Sequence, residues 1–495
     1  MRVLIISPHF PPSNAADMQR VRLVLPYLRE QGIEAEVMCV DSEQVAAPQD
    51  AWLAAGLPSD VLVHRVKALD LKWGKLPGLG TLTFRALGAL RRRGDELLGR
   101  GRRTEIRGQT SEVGGRKSEF DLVYFSTTQF GVHVLGPRWK KEFGVPFVMD
   151  FQDPWVSDYY REHPEVVPPG GRLKYGLASW INRRQEPRVL RECSGITSVS
   201  AAYPEQLAKR YAWLKVVETG GLKPETGRRK PAIVPDIPPL KSQVSAFMSQ
   251  LFSTVLPFPG DARDFERVKQ EGIRQTVFDP ADGLKHWVYV GRGGADMALA
   301  VRAIFSALHS ALRSQSSGLA SLRLHFIGTS YAAAGTGVKI VEPLAAEYGL
   351  SDIVHESTDR IPYSETLRCL LDADALIIPG SDDPGYTASK IYPYLLAGKP
   401  LLAVFHEQSS VVDLIRKVGG GTVIAFATGE APEAIAARIA CKWLATGGPE
   451  QAVPLDQAAF APYTAREQAK QLAGFFITIG RADPARSADS PIYCG

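Results

Sequence analysis

The sequence predicts an α/β protein built from two Rossmann-like, doubly wound parallel-sheet domains facing a cleft. Short apolar runs rich in β-branched residues alternate with stretches of helical period, the pattern stops in a proline-rich region, and it then restarts. Strands that alternate with helices imply crossover units, and crossover units imply parallel sheets.

The first set of strands is expected at Val3–Ile6, Ala35–Val40, Val61–Val66, Leu122–Phe125, Pro146–Met149 and Ile196–Val199. Between the first two, Val21–Arg29 has apolar positions at helical spacing, with Pro26 expected to kink it and Gly32 to stop it. About 218–259 is irregular and rich in proline, with a helix expected at Ser242–Phe252. The second set of strands is expected at Trp287–Val290, Leu322–Ile327, Ala375–Pro379, Leu401–Val404 and Val423–Phe426, with helices between them. Thr464–Ile479 reads as a last amphipathic helix. The resulting division is 1–265, 266–460, a terminal helix within 461–480 and a disordered tail over 481–495.

The 495 residues are 45% hydrophobic and 22% charged, ordinary for a globular protein with a core in each half. The sequence shows no secretory signal and no run of about 18 apolar residues. Five scattered cysteines (Cys39, Cys193, Cys369, Cys441 and Cys494) without a CxxC pair suggest reduced thiols and a cytoplasmic location. The net charge of +5 is concentrated: Arg85–Lys117, inside an insertion at about 68–118, has ten basic and four acidic residues. With Leu82, Phe84, Leu87 and Leu90 just upstream, this segment is either a solvated loop or a contact for an anionic membrane surface. It lacks the aromatic interleaving of a nucleic-acid site.

Doubly wound sheets bind ligands at the carboxyl ends of their strands, and four constellations fall there. The first loop, Ser7–Asp17, contains His9, a candidate proton acceptor, and Asn14, a candidate acceptor-side contact. Asp150, Asp153 and Trp155 follow the fifth strand, where two carboxylates beside a ring suit sugar hydroxyls and acid–base work; Asp153 and His9 are the catalytic candidates. Gly291, Arg292 and Gly293 close the first strand of the second half, with glycines for close phosphate approach and an arginine for its charge. The last constellation is the most specific: Asp382 and Asp383 for hydroxyls, then Ser389 and Lys390 opening a helix, as a diphosphate site would need.

Together these residues resemble retaining glycosyltransferases of the family 4 type, which have the GT-B fold. Ser389–Pro400 looks like the family's S-K-hydrophobic-x-E-Y-hydrophobic-A-x-G-K-P helix, Gly291-Arg292 like its G-R donor loop, and Asp150–Trp155 like its R-D-x-W segment. The family's paired glutamates would fall on Gly385 and Pro393, its donor-loop lysine near Asp296-Met297, and its first-loop glycines on Asn14-Ala15-Ala16. The resemblance implies an enzyme moving a hexosyl or N-acetylhexosaminyl unit from a nucleotide-diphosphate sugar to a lipid-linked or polysaccharide acceptor, without a metal or other cofactor. The missing glutamates leave retention or inversion open. They also leave two alternatives, a degenerate sugar-nucleotide-binding protein and a sugar-nucleotide epimerase or hydrolase.

Overall fold

A computed structural model describes residues 1–70, 72–73, 80–100, 118–162, 171–220, 249–314, 319–332, 334–386 and 388–482. The chain divides into two compact units, Met1–Pro257 with Ala465–Gly495, and Phe258–Thr464.

The first unit has eight strands: β1 (Arg2–Ile6), β2 (Glu34–Val40), β3 (Val63–Val66), β4 (Leu122–Ser126), β5 (Phe147–Phe151), β6 (Gly195–Ser198), β7 (Leu214–Glu218) and β8 (Ser249–Val255). They form one parallel sheet in the order β3-β2-β1-β4-β5-β6-β8-β7. The order reverses between β1 and β4, which makes their carboxyl ends the switch point. The second unit has six strands: β9 (Lys285–Val290), β10 (Leu322–Ile327), β11 (Val354–Ser357), β12 (Ala375–Pro379), β13 (Leu401–His406) and β14 (Thr422–Phe426). Their order is β11-β10-β9-β12-β13-β14, also parallel, with the reversal between β9 and β12. Strands buried on both faces read as continuous apolar runs, which is why β1, β4, β5, β12 and β13 stand out in the sequence.

Three strands lack that signal. β7 reads Leu-Lys-Val-Val-Glu and β11 reads Val-His-Glu-Ser, half-polar segments at sheet edges. β8 overturns the helix expected at Ser242–Phe252: its Ser249–Val255 alternates Leu251 and Ser253 into the protein, and pairing with β6 and β7 fixes it as strand. The remainder of that expected helix lies outside the described residues.

The helix Ala465–Ala482 belongs to the first unit, where Leu472, Phe475, Phe476 and Ile479 join a core with Val3, Ile5 and Tyr124. Gly195 in β6 makes room for it, since a Cβ there would meet Ile479 Cδ1 at 2.7 Å and Phe475 Cζ at 2.8 Å. In the second unit the apolar helix Ala298–Arg313 buries Val301, Ile304, Phe305 and Leu308.

The basic segment requires a correction. The helix Leu82–Leu98 turns Leu82 and Leu90 into the core and packs Leu87 partly against it, so of the four apolar residues only Phe84 stays exposed. Arg85 is buried and donates to the carbonyl oxygens of Gln44 (2.9 Å) and Leu69 (2.8 Å). A stripe of leucines reads the same whether a sheet or a lipid covers it. Arg91 and Arg92 remain exposed, and residues 101–117 lie outside the described set.

Candidate functional site

In the first unit, the loop after β1 and the turns after β4 and β5 meet at the switch point. Ser7 Oγ donates to the His9 carbonyl (2.7 Å), folding the loop so that His9 Nδ1 lies 2.8 Å from Asp17 Oδ1. A carboxylate only accepts, so in this pair Nδ1 carries a proton. Asp17 is itself fixed from the next strand end: its Oδ2 accepts from Thr127 Oγ1 (2.9 Å) and from the Thr128 amide (3.2 Å). Burial alone would push the Asp17 carboxyl up, but the bonds from His9, Thr128 and Thr127 outweigh it and hold Asp17 below its ordinary value.

Asp153 stands beside this dyad. It is solvent-accessible and has no hydrogen-bond donor among the described residues. Enough protein surrounds it that desolvation, with the nearby Asp17 charge, pushes its carboxyl up to about 6. An unpartnered carboxylate of that pKa is a competent proton acceptor near neutrality.

Two acceptor-side candidates are corrected. Asp150 is fully buried: Arg20 Nε lies 2.8 Å from its Oδ2, which also accepts from Ser126 Oγ (2.9 Å) and Gln152 Nε2 (2.8 Å), while Oδ1 accepts from Thr197 Oγ1 (2.7 Å). Its lone pairs are committed to the framework, so no sugar reaches it. Trp155 is also core, stacked on Phe130 with ring centroids 5.8 Å apart and donating Nε1 to Asn182 Oδ1 at 3.2 Å. Trp155→Ala therefore costs stability, about 3–5 kcal/mol by denaturant titration, and leaves substrate affinities in place. Asn14 is buried and its backbone N–H donates to the Pro48 carbonyl (2.7 Å).

In the second unit, the loops after β9 and β12 meet at the other switch point. Lys390 Nζ donates to Tyr289 Oη (2.6 Å), and that hydroxyl donates to the Arg292 carbonyl (2.7 Å). No carboxylate pairs with Lys390 among the described residues. The side chain is half-buried, and desolvation with the adjacent Arg292 charge pushes the ammonium down to about 7. Arg292 binds Asp296 through both terminal nitrogens (2.9 and 2.7 Å) and lies over the Tyr386 ring, 4.9 Å from its centroid.

The glycines act differently from the expectation. The amides of Gly291 and Gly293 are spent on the carbonyls of Ile327 (2.9 Å) and Thr329 (2.7 Å), so they are not phosphate donors. What they supply is space. A Cβ on Gly291 would collide with Lys390 Nζ, and one on Gly294 with the Arg292–Asp296 pair. Because the end of a lysine can move, Gly291→Ala should expel the ammonium from its seat, at some cost in stability from the positive φ of 158° at this position. Calorimetry with a nucleoside diphosphate should then read a loss close to that of Lys390→Ala.

Asp382 is exposed and gives its amide to the Asp296 carbonyl (2.8 Å). Asp383 Oδ1 accepts from the Gly385 amide (2.8 Å) and shapes the turn. Ser389 is exposed, and Lys390 rather than Ser389 is the N-cap residue of the seven-residue helix Ile391–Ala397, without a side-chain cap bond.

Neither a family model nor a curated protein matches the sequence. Solved structures do match in shape. Sucrose-phosphate synthase from Thermosynechococcus elongatus aligns at TM-score 0.55 and 12% identity, over 97% of this chain and 99% of that one. A UDP-forming α,α-trehalose-phosphate synthase from Burkholderia vietnamiensis aligns at TM-score 0.56 and 10% identity, with 97% and 99% covered. The fold is GT-B. HepE from Anabaena, solved with UDP-glucose, is another GT-B neighbour at TM-score 0.50 and 13% identity, covering 99% of this chain and 100% of that one. Identities this low speak to GT-B architecture alone.

Proposed function

We propose that the chain is a glycosyltransferase that moves a sugar from a nucleotide-diphosphate donor to a lipid-linked or polysaccharide acceptor at the cytoplasmic face of a membrane. The observation that carries this reading is the Lys390 seat: a desolvated lysine that pairs with no carboxylate among the described residues, set beside Arg292 in the gap left by Gly291. Such a group is a cation waiting for an anion. Several GT-B neighbours are named with UDP or a UDP-sugar, which favours a uridine diphosphate donor.

In this reading Lys390 takes the charge that grows on the leaving diphosphate as the anomeric bond breaks. A guanidinium has five N–H donors, so Asp296 does not exhaust Arg292. In the first unit, Asp153 is the group suited to take the acceptor hydroxyl's proton, with His9, steered by Asp17, as the neighbouring polar contact. Base-assisted displacement of the diphosphate by that hydroxyl inverts the anomeric centre, and the anomeric coupling of the product checks it.

Thermal unfolding of the whole chain with UDP and UDP-sugars tests the function. A cognate ligand at 100 times its Kd should add about 2.7 kcal/mol, and Lys390→Ala should cut that gain to about 0.3–1.4 kcal/mol at the same ligand concentration. Turnover that needs no acceptor would point instead to a hydrolase or epimerase.

A further inference from the structure

The helix Arg172–Glu192 leaves three large apolar residues in solvent. Leu173 is 92% exposed, Leu177 56% and Trp180 53%. Their spacing of four and then three places them in one stripe along the helix. The opposite side is anchored to the first unit: Val189 and Leu190 are buried, Tyr175 Oη donates to the Ser157 carbonyl (3.3 Å), and Asn182 accepts from Trp155. The stripe is therefore an outward face of a packed helix.

The charges on this helix are mostly of one sign. The helix has six cationic residues and two carboxylates. Of the two acids, Glu186 is fully buried against Arg210 (2.9 Å) and Glu192 lies at the far end. Lys174, Arg184 and Arg188 are exposed, and the Arg184 guanidinium lies 4.0 Å above the Trp180 ring.

We propose that this face is a docking surface for an anionic lipid bilayer. Leucines that reach the acyl boundary, a tryptophan at headgroup level and flanking cations for lipid phosphates are what an interfacial helix presents. A second copy of the chain fits worse, because a two-fold contact sets these cations against themselves. The surface is distinct from the exposed Arg91 and Arg92, and it does not depend on the proposed transfer reaction.

The test is sedimentation of the full chain with vesicles of phosphatidylcholine, with and without phosphatidylglycerol. Binding should require the anionic lipid and weaken with salt. The exposed-residue variant Leu173→Ser/Leu177→Ser/Trp180→Ser should lower partitioning by about tenfold or more. Arg91→Gln/Arg92→Gln should leave it unchanged. Lys174→Gln/Arg184→Gln/Arg188→Gln should remove the salt dependence, an independent readout should the first variant fold poorly. Equal binding to neutral vesicles, or parental binding by both helix variants, overturns the proposal. So does a parent that is dimeric without lipid, turns monomeric in the triple variant and ignores vesicles.

Discussion

Lys390→Ala should weaken binding of the free nucleoside diphosphate by about 10- to 150-fold, equivalent to roughly 1.5–3 kcal/mol for a charge-assisted contact. Calorimetry on the folded variant reads it, and unchanged affinity removes Lys390 from the site. The parent protein should also bind more weakly as pH rises above about 7, by up to about tenfold per unit, because the anion prefers the charged amine. Binding above that pH should take up a proton, seen as heat that varies with the buffer. Stability supplies a second readout with its own sign. The folded amine sheds its proton near 7 while the unfolded chain keeps it to the ordinary 10.5, so the cost of Lys390 shrinks as pH rises through that window. Lys390→Met should raise Tm most at pH 7 and below, and not at all near 10.5.

Asp153→Asn should cut turnover by about 10²- to 10⁴-fold while leaving donor affinity intact, the magnitude expected for a lost general base. The parent rate profile should have an acid limb near pH 6, and the variant should lose it. A limb that persists belongs to another group, and His9→Gln is then the variant to measure. Here the stability sign runs the other way from a salt-bridged carboxylate. The folded carboxyl holds its proton up to about 6 and the unfolded one releases it near 3.8, so Asp153 costs stability as pH rises between those values. The amide variant should therefore melt higher than the parent at pH 7 and equally below about pH 4. A gain in Tm together with a loss of rate is the signature of a functional carboxylate, and a fall in both would make Asp153 structural.

The two sheets were legible because buried parallel strands are apolar throughout, and the strand ends then located both switch points. Lys390 stands out in the sequence between a polar loop and a helix, and the structure places it at the second switch point beside Arg292. What stayed hidden depends on partners far away in the chain. Asp150 reads as a free carboxylate until Arg20 is placed against it, and Asp17 has no meaning until Thr127 and Thr128 arrive from another strand. Trp155 after a turn looks like a sugar platform, and only the stacked Phe130 reveals a core residue. The Gly291 seat was invisible as a seat, because a glycine in a sequence does not say which side chain uses its space. Apolar stripes mislead in the same way: Leu82 and Leu90 are covered, whereas Leu173, Leu177 and Trp180 are not.

The last helix has a consequence for how the protein is born. The first unit is discontinuous, with the whole of Phe258–Thr464 inserted before Ala465–Ala482 completes it. On a ribosome the sheet face that receives Phe475, Phe476 and Ile479 is finished long before those residues exist. At about 5–20 residues per second, the intervening two hundred or so take roughly 10–40 s. The second unit, continuous in sequence, is free to fold during that interval. The first must wait without the Phe476 ring that packs on Tyr124, a natural point for a chaperone to act and for a truncated chain to aggregate.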